Sequence, residues 1–132
     1  MLLHHLCIQT NCYAASLKFY TEALSMHVSR ETKDFHGRAY NTWLSGNGLC
    51  IELQTPKDDG VFLPVDTVHA GIAHFCLLVD DLDELYARLS ARDDIVFHKK
   101  NDSPMYAVNG RRLMKISAPE GTIIEFRDSE IN

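Results

Sequence analysis

The sequence sets a histidine and a glutamate at matching points in each of its halves. His5-Leu6-Cys7-Ile8 near the start is answered by His74-Phe75-Cys76-Leu77 past the middle. Gly37-Arg38, then Gly48-Leu49-Cys50-Ile51-Glu52-Leu53, is answered by Gly110-Arg111, then Gly121-Thr122-Ile123-Ile124-Glu125-Phe126. The spacing from Arg38 to Glu52 equals that from Arg111 to Glu125, while the His-to-Glu spacing is longer in the second half and requires a small insertion there. Histidine offers a neutral imidazole nitrogen and glutamate an anionic oxygen. Two of each make a mixed donor set suited to Zn, Ni, Co, Mn or Fe(II). Four protein donors in an octahedral shell leave two positions for water or substrate, where chemistry is done. The competing reading of either pair alone is a cross-strand His–Glu contact. Duplication at equivalent places favours the metal set His5, Glu52, His74 and Glu125.

The elements that must position these residues also repeat. Residues 3–10 alternate as a strand, so His5 and His4 are expected on opposite faces. Asn11 is a plausible N-cap for a helix from Tyr13 to Ser25, with Leu17, Tyr20 and Leu24 at helical spacing. Strands follow at His27–Glu31, Arg38–Leu44 and Leu49–Gln54, separated by turns at Asp34–Gly37 and Ser45–Gly48. Pro56 to Pro64 reads as a connecting loop. The second half gives a strand over Gly71–Val79, then a helix capped by Asp80 and Asp81, with Leu82, Leu85, Tyr86 and Leu89 on its apolar side. A strand at Ile95–His98, a hairpin signal at Asn109-Gly110 and strands at Arg112–Ser117 and Thr122–Arg127 complete it. The expected fold is α+β: one domain over residues 1–132, built of two tandem βαβββ modules (about 1–55 and 70–132) whose curved mixed sheets surround a cleft. Each His is expected in the first strand of its module and each Glu in the last.

Several neighbours of these positions carry secondary expectations. Cys7, Cys50 and Cys76 lie two positions from proposed donors and share their faces, most simply as small apolar fillers. His27, His36, His69 and His98 show no paired pattern, and His69 is close enough in sequence to His74 to support it from behind. Arg38 and Arg111 begin equivalent strands, where one of them meets an anionic substrate group or both merely flank hairpin turns. Trp43 and Tyr40 alternate, and which of them faces the donors is open.

The bulk numbers narrow the field. A 132-residue chain, 45% hydrophobic and 23% charged, supports one soluble core. A formal net charge of −5 disfavours nucleic acid or an anionic membrane as partner. None of the four cysteines forms a C-x-x-C pair, and no leader or transmembrane run is visible, so a reducing cytoplasm with free thiols is expected. There is no G-x-S-x-G, P-loop or G-x-G-x-x-G.

His5-Leu-Cys-Ile, followed by Ser16-Leu-Lys-Phe-Tyr20 and Ala23-Leu24, resembles the opening of the vicinal oxygen chelate superfamily. Ala118-Pro119-Glu120-Gly121-Thr-Ile-Ile-Glu125-Phe126 resembles that group's closing Asp-Pro-x-Gly-x-x-Ile-Glu signature, with Ala118 where Asp is usual. The group includes glyoxalase I, methylmalonyl-CoA epimerase, extradiol dioxygenases, fosfomycin-modifying enzymes and bleomycin-sequestering proteins. The resemblance implies paired βαβββ modules, a divalent metal cofactor and a homodimer. Glutamate at position 52 matches the His-Glu-His-Glu set of glyoxalase I. The implied reaction is a lyase or isomerase reaction on a small molecule with vicinal oxygens, such as a 2-oxoaldehyde–thiol hemithioacetal. The metal would hold the two oxygens, and Glu125, with Glu52 as alternative, would carry the proton. The alternatives are another superfamily metalloenzyme, a thiol transferase or dioxygenase, or a non-enzymatic small-molecule binder of the bleomycin-resistance type. Gln9 and Pro56 depart from the Arg and Asn that bacterial glyoxalase I carries there for glutathione, which leaves the substrate open.

Overall fold

Three hairpins of this chain turn on two residues, and all three use the same backbone. His36-Gly37, Asn47-Gly48 and Asn109-Gly110 each have both φ values between 50° and 80°. That is the type I′ geometry, whose twist matches the strands it joins and which glycine and asparagine reach most cheaply. A computed structural model of the protein describes residues 1–129 and divides the chain into two compact units, Met1–Val65 and Asp66–Asn132.

In the first unit β1 (Leu6–Gln9) leads into α1 (Tyr13–Lys18), which continues as a π-helical turn, Phe19–Ala23. Then follow β2 (His27–Phe35), β3 (Arg38–Gly46) and β4 (Leu49–Gln54). The sheet order is β1-β4-β3-β2, with β1 parallel to β4 and the other pairs antiparallel. One face of this sheet buries Leu44, Ile51 and Leu53, all 0% exposed. The π-helical turn keeps Phe19, Tyr20 and Ala23 together on its buried side. The expected single helix to Ser25 therefore ends differently: Ser25 takes φ 54° and breaks it. Asn11 does not cap the helix. Its amide donates to the Phe62 carbonyl and its oxygen accepts from the Phe62 N–H, both at 2.9 Å. Cys12 holds the cap position, and its N–H bonds the Thr10 hydroxyl at 2.9 Å.

The second unit repeats the order. It comprises β5 (Phe75–Leu78), α2 (Leu82–Ser90), β6 (Val96–His98), β7 (Met105–Val108), β8 (Arg111–Ser117) and β9 (Ile123–Arg127). Its sheet order is β5-β9-β8-β6, with β5 parallel to β9 and β7 also paired to β8. The strand that β2 forms without a break is here split into β6 and β7 by residues 99–104, which accounts for the longer His-to-Glu spacing. Asp81 caps α2, accepting from the N–H groups of Asp83 and Glu84 at 2.9 Å. Met114, Ile116 and Ile124, 0% exposed, and Phe126, 2%, form the buried face of this sheet. Among the described residues no helix is long and apolar enough to cross a membrane.

One hairpin differs between the units and shifts a register. In β8–β9 the N–H of Ala118 bonds the Thr122 carbonyl and that of Gly121 bonds Ala118, leaving Pro119-Glu120-Gly121 as a three-residue loop. Gly121 takes φ 98° there, the left-handed residue of a bulged hairpin. The extra residue slides β8 one place along β9 relative to β3 on β4. Trp43 thus faces Glu52, while Lys115 rather than Ile116 faces Glu125.

Tyr13 ties α1 to the first sheet. Its ring stacks on Tyr40 at 4.1 Å, and its hydroxyl bonds Glu31 and Thr42 at 2.6 Å each. Burial, and then the bond to Glu31, push its pKa up to about 12. A folded-state pKa above the unfolded value of about 10 means full stabilisation below that pH and loss as pH rises through about 12. The Tyr13→Phe protein is expected to lose about 1 kcal/mol at neutral pH and to lack this alkaline step. Urea unfolding at neutral and alkaline pH reads both; unchanged midpoints throughout would refute the role.

Candidate metal centre

In the first unit His5 Nε2 lies 3.7 Å from Glu52 Oε2. In the second, His74 Nε2 lies 3.3 Å from Glu125 Oε2. The parallel pairing of first and last strands creates both contacts. Cys7 stands opposite Glu52 and Cys76 opposite Glu125, in identical register. Each histidine sits one residue before its strand rather than in it, since β1 opens at Leu6 and β5 at Phe75. Two nitrogen and oxygen donors about 2.1 Å from one ion are separated by about 3.0–3.4 Å. The second pair falls in that range and the first is slightly wider, so donor chemistry and spacing within each pair fit a divalent metal. Among the described residues no group of three or more His, Cys, Asp or Glu side chains is arranged to hold a metal ion.

His4 is not turned away from His5. Outside the strand, alternation no longer applies, and the two rings meet through Nδ1 at 2.7 Å in an edge-on arrangement. One nitrogen must donate and the other accept. With His5 donating through Nδ1, its Nε2 keeps a lone pair on the Glu52 side. Trp43 lies edge-on to His5 with ring centroids 4.9 Å apart, so of the two aromatics it is Trp43 that faces the donors. Tyr40 faces α1 instead. Cys7 and Cys76 are exposed and Cys50 half-buried, so none is a core filler. Partial desolvation and the charge of Glu52 push the Cys7 thiol up. Desolvation and Glu125 do the same for Cys76, against Arg127 and Lys115. Both thiols therefore stay protonated at neutral pH and are poor thiolate donors. His69 is exposed and bonded to Asp66 at 2.7 Å within its own loop.

The two glutamates have different surroundings. Glu125 is 6% exposed at its side chain and Glu52 16%. Lys115 Nζ approaches Glu125 Oε2 at 3.1 Å, and Arg127 Nε donates to Oε1. Burial pushes the Glu125 carboxyl up, but the bonds and charges of Arg127 and Lys115 outweigh it and hold the group below its ordinary value. Lys115 and Arg127 escaped the sequence reading. The signal was in the alternation: Arg111, Leu113 and Lys115 share a face, as do Glu125 and Arg127. Arg38 and Arg111, equivalent in the repeat, part company through the register shift. Arg38 donates to the Thr55 carbonyl at 2.5 Å, whereas Arg111 lines a cleft of about 560 Å³ on the second unit's sheet, together with His74 and Glu125.

Both units carry the βαβββ order with first and last strands parallel, the architecture of the vicinal oxygen chelate proteins. A family model described as Glyoxalase/Bleomycin resistance protein/Dioxygenase superfamily matches residues 2–126, and the chain belongs to that family. No curated protein sequence matches it. Among solved structures it resembles a glyoxalase family protein from Enterococcus faecalis, with a TM-score of 0.79 and 22% identity over 96% of both chains. It also resembles the trypanothione-dependent glyoxalase I of Leishmania major, with a TM-score of 0.72 and 22% identity over 97% of this chain and 86% of that one. The fosfomycin resistance protein FosX of Listeria monocytogenes gives a TM-score of 0.71 and 14% identity over 98% and 92%. At these identities the likeness establishes the fold.

Proposed function

We propose that the protein is a metal-dependent lyase or isomerase of the glyoxalase I kind, acting on a small molecule with vicinal oxygens. His5, Glu52, His74 and Glu125 are the proposed ligands of the divalent metal, and a homodimer is the proposed assembly. The observation that carries the reading is the duplicated His–Glu pair: each unit, taken alone, presents one imidazole and one carboxylate in the same strand register. A glutamate at position 52 supplies the second anionic oxygen of the glyoxalase-type set. A FosX variant of the same fold, 14% identical, was solved with Mn(II), which is consistent with a divalent ion here.

When bound, the ion supplies Lewis-acid polarisation of the substrate's oxygens. The chain's own residues do the rest. His4 holds the His5 ring through Nδ1, and Trp43 packs on its edge. Glu125, with Glu52 as alternative, moves the proton between adjacent carbons. Lys115 and Arg127 fix the Glu125 carboxylate in place.

Metal analysis of purified protein, wild type beside Glu52→Ala, tests the reading. The expected result is about one equivalent of Zn, Ni, Co, Mn or Fe in the wild type after reconstitution, and affinity reduced by at least about 10–100-fold in the variant. Wild-type protein that takes up none of these ions would overturn it. Metal uptake without turnover of methylglyoxal–thiol adducts would move the assignment to a sibling metalloenzyme.

A further inference from the structure

The two His–Glu pairs match in register and differ in charge. Two residues past Glu125, on the same face of β9, stands Arg127; the same place past Glu52 is Gln54, which bonds Asn41 at 2.8 Å. The three-residue hairpin sets Lys115 across from Glu125, whereas Trp43 stands across from Glu52. Glu125 thus has a cation at each carboxylate oxygen, and the equivalent places around Glu52 are uncharged.

The two cations divide the oxygens between them. Arg127 Nε donates to Oε1, and Lys115 Nζ reaches Oε2 at 3.1 Å. Oε2 is also the oxygen that faces His74 Nε2, at 3.3 Å, so it is the atom through which this pair would hold an ion. An ion arriving there meets the ammonium in one of two ways. If Lys115 leaves, a charged bond to a carboxylate only 6% exposed is lost. If Lys115 stays, two positive charges share one oxygen, and with the lysine side chain 25% exposed, solvent and salt screen them poorly. Both outcomes weaken the hold on a cation. Arg127, on the other oxygen, does not occupy that position.

We propose that Lys115 is a built-in competitor for the metal, a positioning residue that occupies Glu125 Oε2 and limits how tightly the second unit's His–Glu pair takes a divalent cation. The inference rests on the metal reading for the pair being a cation site. It makes the halves unequal, with His5–Glu52 the unopposed pair and His74–Glu125 the one held in check. The ammonium opposes positive charge and not a particular coordination geometry, so its effect falls alike on different divalent ions.

The test is calorimetric titration of Mn(II) and, separately, Zn(II) into full-length protein stripped with chelator, at neutral pH. Lys115→Met is expected to bind both ions about tenfold or more tighter than wild type, the scale on which a charge a few Å away alters cation binding to a carboxylate. Lys115→Arg keeps the charge and should stay near wild type. Lys33→Met, which removes the same charge from the exposed strand β2, should do so as well. Circular dichroism and urea midpoints check that each variant is folded. A tighter hold in Lys115→Met is a readout that damage to the fold would not produce. Equal or weaker affinity in Lys115→Met, the same gain in Lys33→Met, or a gain confined to one ion would overturn the proposal. Uptake by Lys115→Met alone would sustain it and sink the reading that the natural chain works with a bound metal. Uptake by wild type with no gain in Lys115→Met would do the reverse, and uptake by neither would overturn both.

Discussion

The Glu125→Gln protein is expected to lose turnover by about 10²–10⁴-fold and to be measurably less stable as well. The two losses have separate causes. The first is removal of an anionic metal donor and proton carrier, both parts of the proposed chemistry. The second follows from what surrounds the carboxylate: Lys115 and Arg127 would face a neutral amide in a site where the side chain is only 6% exposed. Breaking a buried pair by deleting one charge costs about 3–5 kcal/mol where burial is complete, and less here because both cations reach solvent. Adding Lys115→Met to Glu125→Gln should recover part of the stability and none of the turnover. The acid limb of stability supplies a further check. A carboxyl held below its ordinary value stabilises the fold above the unfolded carboxylate pKa and loses that contribution as pH falls through its lowered folded value. Glu125→Gln should lack this step in urea unfolding between about pH 3 and pH 7. Turnover equal to wild type would remove Glu125 from the chemistry. A smaller loss than that of Glu52→Gln would hand the proton transfer to Glu52.

Phe126→Ala is expected to cost about 3–5 kcal/mol, a large share of the about 5–15 kcal/mol that holds a domain of this size together. Phe126 is 2% exposed and lies between Glu125 and Arg127, on the opposite face of β9. It stands across from Met114 in β8 and Leu77 in β5. A void there removes packing from beneath the strand that aims Glu125 and Arg127 at the cleft. Metal affinity should therefore fall together with stability. A loss below about 1 kcal/mol in urea unfolding would show that this face can collapse around the gap.

Much of this arrangement was legible because its signals are local. Leu49–Gln54 forms β4 as its alternation predicts, Asp81 caps α2, and Asn109-Gly110 turns a hairpin. The features that escaped depend on pairing between strands. β2 extends to Phe35 because β3 offers it partners along its length; its own burial shows no alternation to read. β7 is invisible as a separate element until residues 99–104 are seen to leave the β8 edge and return. The side chain opposite Glu125 depends on whether the preceding hairpin spends two residues or three, a choice made by Pro119-Glu120-Gly121 some distance along the chain. His4 was placed by strand alternation that does not begin until Leu6.

The parallel pairing of each unit's first and last strands has a consequence for how the protein folds. β1 finds β4, and β5 finds β9, only after every element between them has been threaded. Such contacts pay their loop-closure entropy before any reward, and they are slow to form. Each His–Glu pair is therefore expected to form late in the folding of its unit. An ion held by such pairs would bind the closed chain and not the open one, pulling the last step of folding forward by mass action. Refolding rates and unfolding rates, compared with and without metal, would then diverge mainly on the unfolding side, where the first strand must peel away.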